Sequence, residues 1–225
     1  MNQIADSAFF STITAPTRFF IVRHGQSEGN AQRRFQGRLD LPLDELGRSQ
    51  ATAVGRWLAA QGIETILSSP LVRAAETASL AASVCGLAAP RLDGLLSEID
   101  TGIFTGQSFA ESRQSHPEVF AAFEGQSWEA VPGAEKSGAL YERAMSAWQL
   151  LRAEAESGKR AIACFSHGGF IQWLVRSTFG CRTWMPLFST ANCGIFELLV
   201  EPGSPGSAYM HWRHLNHQAP QQPSS

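Results

Sequence analysis

The 225-residue chain has four cysteines, Cys85, Cys164, Cys181 and Cys193, with no CxxC or CxxH spacing among them. That removes the usual pattern of a zinc site or a disulfide framework. Cys85, Cys164 and Cys193 sit in or beside apolar stretches, where a small buried thiol is ordinary. All four are read as reduced. No segment reaches the ~18 apolar residues of a membrane span, and Met1–Ala15 has neither a basic n-region nor a continuous apolar h-region. A soluble, cytoplasmic protein is expected. Charge of one sign is missing too: Lys and Arg number 18 against 20 Asp and Glu, for a net charge of −2. Neither nucleic acid nor a membrane surface is an expected partner, and any bound anion must be held by a local cluster of cations. There is no internal repeat and no GxSxG nucleophile elbow.

What the chain does have is apolar residues at 44% against 17% charged, enough for a large core. Arg18–Val22 reads as a buried strand that ends in Arg23-His24-Gly25. Asp44 is the expected N-cap of a helix over about Glu45–Gln61, with Ala51, Val54 and Leu58 on its inner face and Gly62 as its stop. A strand over Thr65–Ser69 precedes a helix over Leu71–Cys85. A third strand is expected at Leu92–Leu96, and an irregular stretch from Phe104 to Pro132 with one short helix at Pro117–Glu124. A long helix over Ser137–Glu156 turns Leu140, Ala144, Ala147 and Leu151 inward. The strand Ala161–Phe165 ends in Ser166-His167-Gly168-Gly169, followed by a helix over Phe170–Phe179 and late strands at Ile195–Val200 and Tyr209–Leu215. Residues 1–16 read as a poorly tied N-terminal extension, residues 17–216 as a single domain, and residues 217–225 as a disordered tail. Strands alternating with helices predict a three-layer α/β/α sandwich with a mostly parallel sheet.

Ligands gather at the carboxyl edge of such sheets, and two strands here end in Arg-His-Gly and Ser-His-Gly. A phosphoryl group needs an in-line nucleophile, donors for its peripheral oxygens and an acid for its leaving oxygen. A neutral imidazole can attack, and arginine offers a planar fork that stays charged. Arg23 adjoins His24, Asn30 lies on the following loop, and Arg73 lies just inside the helix after Ser68-Ser69-Pro70, where a helix N-terminus favours anions.

Arg23-His24-Gly25-Gln26-Ser27-Glu28-Gly29-Asn30 resembles the RHGxSxxN signature of the histidine phosphatase superfamily, the phosphoglycerate-mutase-like proteins. Phe35-Gln36-Gly37 with Asp40, Leu43 and Gly47 is similar to the loop that follows it there. Ser68 to Ala78 resembles the SSPLxRAxxTA segment, and Leu96 to Gly102 with Gly106 the LxExxxGxxxG segment. Pro132-Gly133-Ala134-Glu135 with Arg143 is similar to the PGGE turn and its arginine, Ser166 to Gly169 matches the second histidine motif, and Asn192 stands where an asparagine is frequent. The resemblance spans roughly Phe19 to Leu199.

It implies that His24 attacks phosphorus while Arg23, Arg73, Asn30 and His167 surround the oxygens. Glu98 would protonate the leaving group and then activate water. Ser27, Gln36, Gly37, Gly168 and Asn192 would complete the substrate site. No metal and no other cofactor are implied; the expected partner is a small-molecule phosphate ester, with a homodimer as candidate assembly. Hydrolysis is favoured over mutase chemistry because the WRLNExHYG-like stretch around the glutamate is replaced by Leu95 to Ile103, and the segment up to the second histidine is shorter. A phosphoglycerate mutase and a non-catalytic phosphate-binding module are the alternatives, though no nucleophile or arginine is lost. Ala134 and Lys136 depart from the PGGES turn near a cap-like segment, residues 104–136.

Other residues have plainer readings. Glu28 and Asp100 are taken as structural, and His116, His211, His214 and His217 as surface or packing groups. Arg33, Arg34 and Arg38 either grip a second anionic group or are solvated. Phe104, Phe109, Phe120, Phe123 and Trp128 either line the pocket or cover the sheet.

Overall fold

The structure is a computed structural model and describes residues 3–184 and 188–220. In chain order its elements are β1 (Thr17–Arg23), α1 (Glu28–Ala31), α2 (Glu45–Ala60), β2 (Thr65–Ser68), α3 (Val72–Cys85), β3 (Arg91–Leu92), α4 (Phe109–Ser115), α5 (Pro117–Gln126), α6 (Ser137–Glu156), β4 (Ala161–Ser166), α7 (Gly168–Thr178), β5 (Ile195–Pro202) and β6 (Ala208–His217). Short 3-10 turns occupy Gly94–Leu96, Gly102–Phe104 and Ser127–Ala130. The six strands form one sheet in the order β3-β2-β4-β1-β5-β6. β1, β2, β3 and β4 run parallel, while β5 and β6 pair antiparallel.

The pleat sorts the layers. On β1, Phe19 and Ile21 face the cluster built with Leu140, Trp148 and Leu174 from α6 and α7. Phe20 and Val22 face Val54, Leu58, Ala78 and Ala81 from α2 and α3. All four β1 residues are fully buried, each contributing about 1.5–3 kcal/mol of hydrophobic stabilisation. The expected α/β/α sandwich is what forms.

Helix limits follow their chemistry. The Asp44 carboxylate accepts from Gly47 N at 2.7 Å and starts α2. Gly86, with φ +67°, ends α3 in the left-handed cap that glycine adopts freely. Helix α6 has the expected bounds and inner face.

Several expectations need correction. The third strand is two residues long and gives way to the Gly94–Leu96 turn, because Asp93 accepts from Leu95 N and starts a helical turn instead. The stretch from Phe104 to Pro132 is more helical than expected: the helix expected at Pro117–Glu124 forms as α5, opened by Pro117, and Ser108 and Glu111 form a capping box for a further helix, α4. Its aromatic residues make a satellite core of Phe35, Phe104, Phe120, Val131 and Ala134, with Phe123 and Trp128 packed on it. The N-terminal segment is not loosely tied. Ala5 and Phe10 are fully buried, Ala5 N donates to Ser177 O at 3.0 Å, and Phe10 packs edge-on to Trp148 at 5.5 Å. At the other end Ala219 packs against the cluster that β1 shares with α2 and α3, and residues 221–225 of the expected disordered tail lie outside the described residues.

Candidate active site

Strands β1 and β4 are parallel neighbours in which Arg23 pairs with Ser166. The next residue of each strand is a histidine, so one hydrogen-bonded register delivers His24 and His167 side by side, ring centroids 5.0 Å apart. Strand β2 lies on the other side of β4 and ends at the same level, which puts the Ser69 hydroxyl 2.8 Å from His167 Nε2. Helix α3 then carries Arg73 back over the strand ends. Its start is fixed by Asp40, which accepts from Val72 N at 2.6 Å.

The His24 ring is held by two bonds. Nδ1 lies 2.7 Å from Gly25 O, and Arg73 Nε donates to Nε2 at 3.3 Å. A carbonyl can only accept, so the proton sits on Nδ1 and the lone pair on Nε2. Burial pushes the His24 pKa well below the usual imidazole range, and the Arg23 and Arg73 charges push it further, against the Gly25 bond. His167 is lowered likewise, by burial first and then by Arg73, His24, Arg23 and Arg143. Both rings are therefore neutral at neutral pH, as a nucleophilic imidazole must be.

A cavity of about 150 Å³ opens over His24, bordered at its base by Arg23, Arg73, Asn30 and Glu98. That is room for about five waters by liquid volume, the scale of a phosphoryl group and a few further atoms. Arg73 reaches it with Nη1 bonded to Leu39 O and Nη2 to Gly37 O, so one guanidinium braces both the loop and the His24 ring. Arg23 Nη1 is bonded to Thr190 O, whereas its buried Nε has no partner among the described residues. Asn30 Oδ1 accepts from Ser27 N, Ser27 Oγ and Asn192 Nδ2, which fixes the amide orientation. No hydrogen bond within the described residues engages Asn30 Nδ2, and a bound oxyanion could take it.

Glu98 arrives by a route unlike that of the histidines. Arg143 donates to Leu95 O and Ser97 O, Ser166 Oγ donates to Leu96 O, and Glu135 grips Arg143 through two 2.8 Å bonds. This pins residues 95–97 across the end of β4. The Glu98 carboxylate then accepts from Gly169 N and Phe170 N at the start of α7, and from Ile99 N. Asp100, its nearest rival, bonds Gly102 N in a turn and does not border the cavity.

Of the remaining expected site residues, Gln36 and Gly37 border the cavity, while Ser27, Gly168 and Asn192 stand behind it as supports. His167 also lies behind it, fully buried, with Nδ1 unpartnered among the described residues. Gly168 has no room for a Cβ, which would lie 2.7 Å from Thr190 Oγ1 and 3.2 Å from Arg23 Nε. Sequence reasoning missed Ile99, Thr101 and Gly169. A Cβ on Gly169 would sit 2.7 Å from Glu98 Oε1, and the Gly-Gly pair after His167 was the available signal. Arg34, Phe35 and Trp128 also border the cavity; Arg33 does not, and Arg38 faces Glu135 at 3.5 Å. Of the five aromatics weighed from Phe104 to Trp128, only Trp128 borders it. All four cysteines are free thiols in the structure, and burial pushes the Cys193 pKa up to about 12. Among the described residues no group of three or more His, Cys, Asp or Glu is placed to hold a metal, and no helix is long and apolar enough to cross a membrane.

Known proteins resemble this chain over most of its length. Phosphoglycerate mutase-like protein 4 of Arabidopsis thaliana is 35% identical over 172 residues, covering 75% of this chain and 74% of that protein. A probable phosphoglycerate mutase, GpmB, of Salmonella paratyphi B is 32% identical over 183 residues, covering 80% and 83%. Among solved structures, one described as mycobacterial hydrolase 1 superposes with a TM-score of 0.77 at 27% identity, covering 90% of this chain and all of that one. The vanadate complex of a mycobacterial glucosyl-3-phosphoglycerate phosphatase gives 0.74 at 27% identity, covering 89% and 99%. The sequence profile of the histidine phosphatase superfamily (branch 1) matches residues 19–212, and the chain belongs to that family.

Proposed function

We propose that the protein is a phosphomonoester hydrolase that works through a phosphohistidine on His24 and needs no divalent metal. The observation that carries this reading is the His24 ring itself: neutral, with its tautomer fixed by Gly25 and Arg73, and its Nε2 at a cavity bordered by two arginines and a carboxylate.

In the proposed cycle the phosphoryl group displaces the Arg73 Nε contact from His24 Nε2. Arg23, Arg73 and Asn30 Nδ2 hold its oxygens, with His167 Nδ1 as a further partner from behind. The two guanidinium charges take the place a metal cation occupies in other phosphoryl-transfer sites. The Nε2–P bond forms as the P–O ester bond breaks, and the leaving oxygen takes a proton from Glu98. Glu98 then takes a proton from water, which attacks phosphorus; the N–P bond breaks and inorganic phosphate departs. The proton lost in the first half is regained in the second, so the cycle closes.

A mutase reading keeps one specific support, the phosphoglycerate-mutase names of the relatives from Arabidopsis and Salmonella. The structural neighbour described as a phosphatase favours hydrolysis. Acid-quenched enzyme after brief exposure to p-nitrophenyl phosphate tests the proposal. An acid-labile, base-stable phosphoryl group absent from His24→Ala supports it, whereas a stable phosphoserine on Ser27 or Ser166 contradicts it. Stimulation of phosphoryl exchange by a bisphosphorylated glycerate would favour the mutase.

A further inference from the structure

We infer that Lys136 is a positioning residue that holds Trp128 as the wall against which the substrate's leaving group packs, and that this leaving group presents a flat apolar or aromatic face. The inference rests on the phosphoester reading above and says what lies beyond the phosphorus.

Trp128 is the aromatic residue that the Phe104–Pro132 segment sends to the cavity. It packs on Phe35 at 5.4 Å and Phe123 at 4.8 Å, both edge-on or tilted. The residue before it, Ser127, has φ +54° and ψ −144°, a conformation that L side chains rarely adopt and that neighbours must enforce. Lys136 braces the turn that begins there. Its ammonium donates to Trp128 O at 3.4 Å, Glu129 O at 2.9 Å and Val131 O at 3.0 Å, the carbonyls at the end of the 127–130 turn. Trp128 O and Val131 O also accept backbone bonds from Val131 N and Ala134 N, so Glu129 O is the one of the three that depends on the lysine most.

The same contact is reciprocated. Lys136 occupies the N-cap position of α6 and gives that helix no side-chain cap, and the Glu129 carboxylate accepts from Ser137 N at 3.0 Å instead. The related turn carries serine where this chain has Lys136, and a serine would cap α6 without touching residue 128. Substituting lysine moves the cap to Glu129 and frees the ammonium to grip the Trp128 turn.

The rest of the cavity rim indicates which leaving group fits. Phe35, Ile99 and Trp128 are its apolar members. Arg34, the remaining cation, is already engaged, its Nη1 bonded to Gly106 O and to Glu111 at 2.8 Å each. Its charge is matched by Glu111, which argues against a second anionic group on the substrate and for a leaving group that packs on the indole.

The test is equilibrium binding of phenylphosphonate and methylphosphonate, measured calorimetrically on the full chain, wild type and variants. Wild type should bind phenylphosphonate about tenfold more tightly, an amount one aromatic contact can supply. Lys136→Ser, which keeps a cap for α6, should lose most of that preference with little change for methylphosphonate. Trp128→Ala should lose it as well, the double variant should lose no more than either single one, and Lys136→Arg should retain it. Equal affinity of the two phosphonates in wild type, equal weakening of both by Lys136→Ser, or multiplying losses in the double variant would each overturn the inference. An intact preference in a protein that fails to turn over p-nitrophenyl phosphate would instead remove the hydrolase reading and leave this one standing.

Discussion

The floor of the cavity and its outer wall are built by opposite means. The floor is set by positions one step beyond core strands: His24 and, behind it, His167 follow paired positions of β1 and β4, strands packed between two continuous hydrophobic clusters. The wall consists of a 3-10 turn on a satellite core, held by one lysine and one glutamate. Moving a floor residue means shifting the sheet, whereas moving the wall means repacking a few aromatic rings. A chemistry common to a family is kept on the rigid side, and a preference among esters can drift on the other.

The comparison breaks first at His24. His24→Ala should remove the phosphoenzyme and lower turnover by about 10⁴-fold or more, measured by acid-quench labelling and steady-state rates. Residual phosphorylation of that variant would move the nucleophile elsewhere.

Glu98 comes next, since it belongs to the floor but reaches it from the helix end. Glu98→Gln should cost about 10²–10⁴ on alkyl phosphates, whose leaving groups need a proton. The phosphorylation step for p-nitrophenyl phosphate should be far less affected, and phosphohistidine should accumulate there. Burst amplitudes of Glu98→Gln and Asp100→Asn check the assignment, because the Asp100 carboxylate serves a turn. If Asp100→Asn shows the leaving-group dependence instead, the roles exchange.

Arg73→Lys keeps the charge and loses the fork that spans Leu39 O, Gly37 O and His24. A loss of about 2–3 kcal/mol in kcat/KM is expected, near 30- to 150-fold. Wild-type kinetics in that variant would place Arg73 outside the chemistry.

A smaller effect is spectroscopic. His24 carries a lowered pKa from burial and two guanidinium charges, so the folded state holds fewer protons there than the unfolded chain at mildly acidic pH. Stability from this group is present above the ordinary histidine pKa of about 6.5 and is lost as pH falls below it. Nitrogen NMR of the free enzyme at pH 6 should show His24 neutral with the proton on Nδ1; an imidazolium signal would contradict both points. The smallest effect expected is none: EDTA should leave turnover of p-nitrophenyl phosphate unchanged, and restoration by added Mg²⁺ or Zn²⁺ after a loss would refute metal independence.

How much could be read beforehand follows the same division. The floor was legible because buried parallel strands are continuous apolar runs, and Arg18–Val22 and Ala161–Phe165 end visibly in charged or polar tripeptides. Helix α6 was legible from its 3.6-residue spacing. Thr101 and Ile99 were not, since they reach the cavity through a turn around Gly102 that carries no period. The expected strand at Leu92–Leu96 failed because a short apolar run does not distinguish a strand from a 3-10 turn, and Asp93 decided it. The short helix expected at Pro117–Glu124 is α5, whereas α4 was obscured by aromatic residues that serve a local cluster and give no clean amphipathic stripe.

Residues 3–16 follow no period either, yet they work as a plug. Phe10 fills a hollow between Phe19 and Trp148, Gln3 O receives the Tyr141 hydroxyl, and Ser7 O receives Ala208 N. A chain trimmed to start at Thr17 would leave a ring-sized void beside Trp148. Losing the Phe10 ring alone should cost about 3–5 kcal/mol, a large share of the 5–15 kcal/mol that holds a typical domain folded. The head of this chain thus locks α6, α7 and β6 from outside, and a shortened version would turn over substrate only as long as it stayed cold enough to remain folded.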